Sequence, residues 1–524
     1  MQSLQSQTDA SPLSGNLQAN GNFFIRDSTI GAANTPQYDH QLVGADAWLS
    51  LNYNKFGYDI GVRFDIFQNS QLLNPKESYT ASGFGRWYVK KRVGKLAIYG
   101  GHIYDQIGAG LIFRSYEDRP LGIDNALIGI NLDYQINDNF HVKAFTGRQK
   151  QQFVSYQSTI NGLNTEGYLS IGKTNLAAGL GIVHRTIDDA TVSQLVSTIS
   201  TYAKADSIAI KYNTFAFTAY NTLTHGKWTW YVETALKTGE AMFDVNANKL
   251  NRDGTLVKGK YINTVGSIIY TTLGYITEGV GVTLEAKRTQ GFTFRTTPFA
   301  QLNRGIINYL PPLNRQNSYR LTTRYVPATQ ELGEQAIQLD IKLSPNEKIN
   351  IDANISQISD LQNLLLYREI YTSVLLKKGD NEWTFGIQHQ NYNQNIYESK
   401  PNVSNVQTIT PFMTYFQKIN NLKSYKISAQ YMHTKQDYGS WIYGGLDFDI
   451  APKWSFSISD MWNVVPKKTA KALHYPTLAA AFSQGANRFS LAYVKQVEGI
   501  VCTGGICRLE PAFSGVKMGV TTAF

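Results

Sequence analysis

The strict two-residue alternation of Phe513–Phe524, F-S-G-V-K-M-G-V-T-T-A-F, limits what this chain can fold into more than any other feature. Val516, Met518, Val520, Thr522 and Phe524 fall on one face; Gly515, Lys517, Gly519, Thr521 and Ala523 fall on the other. Successive side chains of a strand point to opposite sides, so this is a strand with one apolar and one hydrated face. A soluble sheet would bury the apolar face under another layer. No second apolar layer is evident here, and the strand ends on an aromatic. The same alternation recurs along the chain. Leu17, Ala19, Gly21 and Phe23 oppose Gln18, Asn20 and Asn22, and Ala45, Ala47, Leu49 and Leu51 oppose Asp46 and Ser50. Trp228, Trp230, Val232 and Leu236 oppose Lys227, Thr229, Glu233 and Lys237. Ile337, Leu339 and Ile341 lead through Ser344–Lys348 into Ile349, Ile351 and Ile355, which is a hairpin. The chain reads as all-β: one large antiparallel transmembrane barrel of roughly 24–26 strands.

Composition agrees. Mean hydropathy is −0.27, and no run approaches the ~18 apolar residues that a spanning helix needs. No composition shift marks a boundary, so residues 1–524 are expected to form a single barrel domain, with 1–14 as an N-terminal tail. Gln2–Ser6 has neither a basic region nor an apolar core, so a secretory leader is expected to have been removed. The net charge of +10 fits solvated lumen and loop lysines, or a preference for anionic solutes or lipopolysaccharide phosphates. Cys502 and Cys507 stand in a C-x4-C arrangement with no nearby histidine. That disfavours a metal and suggests a short disulfide in an oxidising compartment.

Short connections such as Asn54–Phe56 and Asn137–Asn139 alternate with longer ones, Asp27–Asp39, Gln149–Asn164 and Gly239–Tyr261. With Phe524 on the periplasmic side, Gly379–Asn381, Pro452–Lys453 and Gly485–Asn487 join it there, and the cysteine loop lies outside. Counting strands from the two ends gives answers that differ by one between Gly239 and Pro345. Either Gly291–Asn317 hides a strand, or it is not a simple loop. Residues 105–125 and 291–317 break the strand pattern and are the candidates for filling the lumen. Asp105, Arg114, Glu117, Asp118, Arg119 and Asp124 are mixed in sign and are expected to pair with one another there, a ligand site being the minority reading. Phe292, Phe294, Ile307 and Leu310 need cover that a lumen would supply. No catalytic or metal constellation stands out: the eight histidines are scattered, and neither a nucleophile elbow nor a zinc-protease motif is present.

Three stretches carry a resemblance: I-G-A-G-L-I-F-R-S-Y-E-D-R-P-L-G-I-D-N (Ile107–Asn125), I-N-Y-L-P-P (Ile307–Pro312), and V-C-T-G-G-I-C-R (Val501–Arg508) with P-A-F-S-G after it. They resemble an uncharacterised family of large outer-membrane barrel proteins of Bacteroidota. The resemblance implies a fold and a bacterial outer-membrane location, and supplies no catalytic residue. A barrel of this size left open would breach the membrane. The first expectation is therefore a closed accessory or scaffold subunit of a multi-protein outer-membrane complex, in protein export or barrel assembly. The alternative is a channel or transporter for a bulky or anionic solute. A lipid transporter with a lateral opening rests only on the apolar content of 291–317. No enzyme activity, cofactor or nucleic acid is expected. Expected partners are outer-membrane lipids and lipopolysaccharide, the barrel-assembly machinery reading Phe524 as an assembly signal, and other outer-membrane proteins or lipoproteins.

Overall fold

The computed structural model describes residues 11–300, 303–503 and 506–524, with the backbone alone for 501–503 and 506–507; most of the N-terminal tail lies outside the described residues. Twenty-four strands form one antiparallel sheet in which each strand pairs with its neighbours in sequence. The first strand, Leu13–Phe24, closes the ring against the last, Phe513–Ala523, with Asn16 opposite Ala523 and Phe24 opposite Gly515. Closure leaves no terminal edge, which is the only way a sheet satisfies all its backbone groups within a bilayer.

The alternation decides the faces. Phe64, Ile66, Trp230, Leu236, Ile355 and Ile458 point outward and are exposed. Arg63, Asp65, Glu233, Lys237, Lys287 and Glu369 point inward and are buried. The hydrophobic core of the molecule therefore lies inside the barrel, between the wall and whatever fills the lumen. At one end every connection is two to four residues long. Phe56 and Gly57, both at positive φ (57° and 71°), make one of these tight turns, the conformation whose twist matches a two-residue hairpin. Lys55, Lys95, Lys173, Lys227, Lys348 and Lys453 stand exposed at this short-turn rim. The long connections, including residues 104–126, 187–212 and 291–332, all leave from the other end.

Three sequence expectations change. Gln149–Asn164 is not a long loop: strands Phe140–Gln151 and Val154–Ile171 meet at Gln152–Phe153. Gly239–Tyr261 is not one either, because strands Trp228–Leu250 and Leu256–Thr277 run on past the wall as a tall hairpin. Register shifts between Lys237 and Glu240 and between Asp244 and Asn248 break the alternation by which a strand is read in sequence. The strand-count offset also resolves. Val280–Gln290 pairs directly with Gly333–Asn346, so 291–332 adds no strand and is not a simple loop.

Candidate functional site: the filled lumen

Residues 104–126 and 291–332 turn into the barrel and pack on each other. Arg114 N–H donates to the Ile307 carbonyl (2.8 Å), Tyr309 N–H to Gly110 (2.9 Å), and Asn308 Nδ2 to Leu111 (3.0 Å). Ile107, Leu111 and Phe113 of the first segment form one apolar cluster with Phe292, Phe294 and Ile307 of the second. Wall residues Phe145, Val183 and Ile268 complete it. Farther along the second segment, Leu313, Leu321 and Tyr325 pack with Tyr367, Trp441 and Tyr475 on the opposite side. This interior packing is the cover that the apolar residues of 291–317 require.

A polar wall cannot hold a segment by apolar contact alone, so its inward side chains bind plug backbone. Lys237 Nζ donates to the Thr293 carbonyl (2.6 Å), Arg185 to Arg295 (2.7 Å), Gln149 to Ile306 (2.6 Å) and Lys287 to Pro311 (2.6 Å). Lys237 and Arg185 share Glu240, and Lys287 pairs with Glu334 at 2.6 Å with essentially no solvent contact. Buried charges are tolerated only when they are paired and hydrogen-bonded, and removing one partner strands the other. The plug is thus fixed by contacts that are costly to open.

The sequence-selected cluster is distributed through this arrangement. Only Glu117 and Arg119 pair with each other within the segment (3.2 Å). The wall supplies the remaining cations: Arg63 grips Asp65 (2.7 Å), Glu117 (2.6 Å) and Asp124 (3.1 Å), and Lys150 also pairs with Asp124. Asp105 meets Lys143 (2.7 Å) and Asn131 (2.7 Å). Arg114 lies over the rings of Tyr116 and Tyr309, and Asp118 caps Leu121 N–H. Sequence reading missed Arg63, Lys150, Lys237, Lys287 and Glu334, which look like ordinary hydrated-face residues of a strand. Their signal was the charge on the inward-facing positions of a strand.

At the long-loop end, Asp437 binds Tyr325 (2.9 Å), Lys400 (3.5 Å) and Lys468. Burial opposes its charge, but Lys468, Lys400 and Tyr325 outweigh burial and hold the carboxyl below its ordinary range. Cys502 and Cys507 are directly opposed on the small hairpin Gly499–Thr503/Ile506–Glu510. Their side chains lie outside the described residues. Phe524 exchanges backbone hydrogen bonds with Gly15 (2.7 and 2.9 Å). Among the described residues no group of three His, Cys, Asp or Glu side chains is placed to hold a metal.

A closed barrel with an apolar outer surface and a lumen packed with its own chain defines a large barrel of the outer-membrane type. The chain belongs to a family of unknown function, DUF6029, whose model matches residues 1–524. No curated protein matches. Among solved structures, the P pilus usher translocation pore PapC is similar at 9% identity and a TM-score of 0.46, over 98% of this chain and 99% of that one. The siderophore receptor PirA is similar at 9% identity and 0.45 for the Acinetobacter baumannii protein (98% and 81% covered). The Pseudomonas aeruginosa PirA reaches 8% and 0.41 (98% and 80% covered).

Proposed function

We propose that this protein is an integral barrel of the bacterial outer membrane with a permanently sealed lumen, acting as an accessory or scaffold subunit of a larger outer-membrane assembly in protein export or barrel assembly. The observation that carries this reading is the anchoring of 291–332 by Lys237–Glu240 and Lys287–Glu334. A gate that opens in each cycle would have to expose those charges every time, and a structural seal would not. The reading assigns no catalysis. Orientation follows from loop length, with the short-turn rim periplasmic. The exposed lysines of that rim then face phospholipid headgroups of the inner leaflet, so lipopolysaccharide contact has less support than inner-leaflet contact.

The test is gentle extraction at native abundance, followed by sizing and identification of companions. A species larger than one 58.6 kDa chain with fixed partners supports the scaffold. A lone barrel that conducts in planar bilayers refutes it. One observation favours the channel alternative: neither Arg320 of the inturned segment nor Lys517 of the closing strand has a carboxylate at salt-bridge distance among the described residues, although Glu510 lies within electrostatic reach of Lys517. In a leaking lumen that pair would select anions.

A further inference from the structure

One side of the lumen holds cations that the chain does not neutralise. Residues 320–325 of the second inturned segment lie against the wall, where Gln430 accepts from Leu321 N–H (2.8 Å) and Gln388 donates to the Thr322 carbonyl (3.1 Å). Arg320 and Arg324 belong to this stretch. Lys517 comes from the closing strand Phe513–Ala523, where the exposed Met518 marks the outward face and Lys517 therefore points inward. Elsewhere in the lumen Arg63, Lys143, Lys150, Lys237 and Lys287 each meet a carboxylate. Among the described residues Arg320, Arg324 and Lys517 have neither a carboxylate at salt-bridge distance nor a hydrogen-bond acceptor for their side-chain nitrogens.

Their neighbours position these charges without cancelling them. Arg324 lies over the rings of Trp441 (4.5 Å), Tyr438 (5.5 Å) and Tyr325 (6.0 Å), and Lys517 lies over Phe513 (4.4 Å). Arg320 is within electrostatic reach of Arg324 and Tyr443 on one side and of Lys517 on the other. The carboxylates nearby are engaged or too far. Glu510, in reach of Lys517, pairs with Arg508 (2.7 Å), and Arg508 itself adds to the positive charge around Lys517. Asp437, beside Tyr325 and Tyr438, is held by Lys400 (3.5 Å) and Lys468, and Glu498, near Tyr438, pairs with none of these cations. Like charges gathered in a protein interior are unfavourable unless an anion joins them. The site is also reachable. Arg320 is exposed although it lies within the ring of strands. The inward positions Ser457, Ala479, Ser490 and Gly519 are small and none is buried, whereas Phe113, Phe292 and Phe294 fill the other side. Thr521 and Ala523 carry that exposure to the short-turn rim.

We propose that Arg320, flanked by Arg324 and Lys517, binds inorganic phosphate inside the lumen, as the counterion that the chain does not supply. A guanidinium presents a planar fork of donors to phosphate oxygens, and an ammonium adds a point charge. A tetrahedral dianion suits cations that arrive from two different elements. Chloride carries a single charge, and the two oxygens of a carboxylate point one way. The lining beyond the cations is Ser, Ala and Gly, which gives the organic part of a phosphate ester no apolar cover, so the free ion is the occupant. Once bound, it joins the inturned segment to the strand that closes the barrel. The site rests on the packing of the lumen alone. A sealed scaffold and a conducting channel would both carry it, so its failure and theirs are told apart.

The test is equilibrium dialysis of the full chain, folded in detergent micelles, against radiolabelled inorganic phosphate in a zwitterionic buffer. Heat modifiability checks that the barrel is folded. Binding is expected to saturate and to persist when chloride is added to equal ionic strength. Arg320→Gln and Lys517→Gln are each expected to weaken it about tenfold, the loss of one charge-assisted contact, while Lys453→Gln at the short-turn rim leaves it unchanged. Without phosphate, Arg320→Gln is expected to unfold at a higher temperature than wild type, because it relieves repulsion. Wild type, unlike Arg320→Gln, is expected to gain thermal stability as phosphate is added. A merely structural arginine would give neither result. Glycerol 3-phosphate is expected to compete no better than the free ion. Binding that does not saturate, that chloride abolishes, that Arg320→Gln leaves intact or that Lys453→Gln weakens equally would overturn the assignment, as would tighter binding of the ester.

Discussion

Lys287 Nζ lies 2.6 Å from Glu334 Oε1, and the same ammonium donates to the Pro311 carbonyl, so one buried ion pair ties the inturned segment to the wall. Lys287→Met strands the Glu334 carboxylate and is predicted to destabilise the folded barrel by about 3–5 kcal/mol. The readout is the temperature at which the SDS-resistant form unfolds. Lys287→Met/Glu334→Gln is expected to recover part of the loss, because no uncompensated charge then remains. No change in the single variant would mean that the pair does not anchor the plug.

Arg63, braced by Asp65 on its own strand, joins the wall to the other segment through Glu117 and Asp124. Arg63→Gln should loosen residues 104–126 without dismantling the sheet, since Lys150 still holds Asp124. Hydrogen exchange in 104–126 is expected to quicken while that of strand Phe140–Gln151 stays slow. Equal protection of both in wild type and variant would contradict the assignment.

Asp437 gives a pH dependence. Its folded pKa lies below the ordinary 3.8, so its contribution is fully present above the unfolded pKa and is lost as pH falls through the folded value. Thermal stability of wild type is therefore expected to drop more steeply below about pH 4 than that of Asp437→Asn, with Asp437→Asn the less stable of the two at pH 7. Parallel curves over that range would show that the tie to Lys468 and Tyr325 carries no stability.

Cys502 and Cys507 occupy directly opposed positions on an antiparallel hairpin, where two cysteines can be bridged. Alkylation of the unreduced protein is expected to modify neither. Two alkylated thiols in freshly isolated outer membranes would rule the bridge out.

Phe524 folds over Gly15, where any Cβ would come within 2.6 Å of its ring, and the two residues exchange backbone hydrogen bonds across the closing seam. Phe524→Ala and Gly15→Val are both predicted to lower the yield of heat-modifiable barrel severalfold, an effect of roughly 1 kcal/mol at closure. Phe524→Ala acts through lost cover and Gly15→Val through overlap. Normal yields from both would leave Phe524 without a role in assembly.

Alternation alone determined the class of fold and the face each residue takes: Trp230 outward and Glu233 inward follow from parity, because a pleated strand has only two sides. It also marked 105–125 and 291–317 as the segments that leave the wall, since apolar residues such as Phe292 and Phe294 without a strand period need an interior. It did not determine strand length past the membrane, because the bulges between Lys237 and Glu240 and between Asp244 and Asn248 interrupt the period by which strands are read. Only the tertiary structure decided which charges meet. Arg63 and Asp124 are far apart in sequence and belong to different strands and segments, and their pairing depends on how 104–126 threads the lumen. That strand Leu96–Ile103 pairs with Tyr79–Val93 only up to Tyr88, where the chain leaves the wall for the lumen, is likewise a matter of register, and no local pattern in the sequence records it.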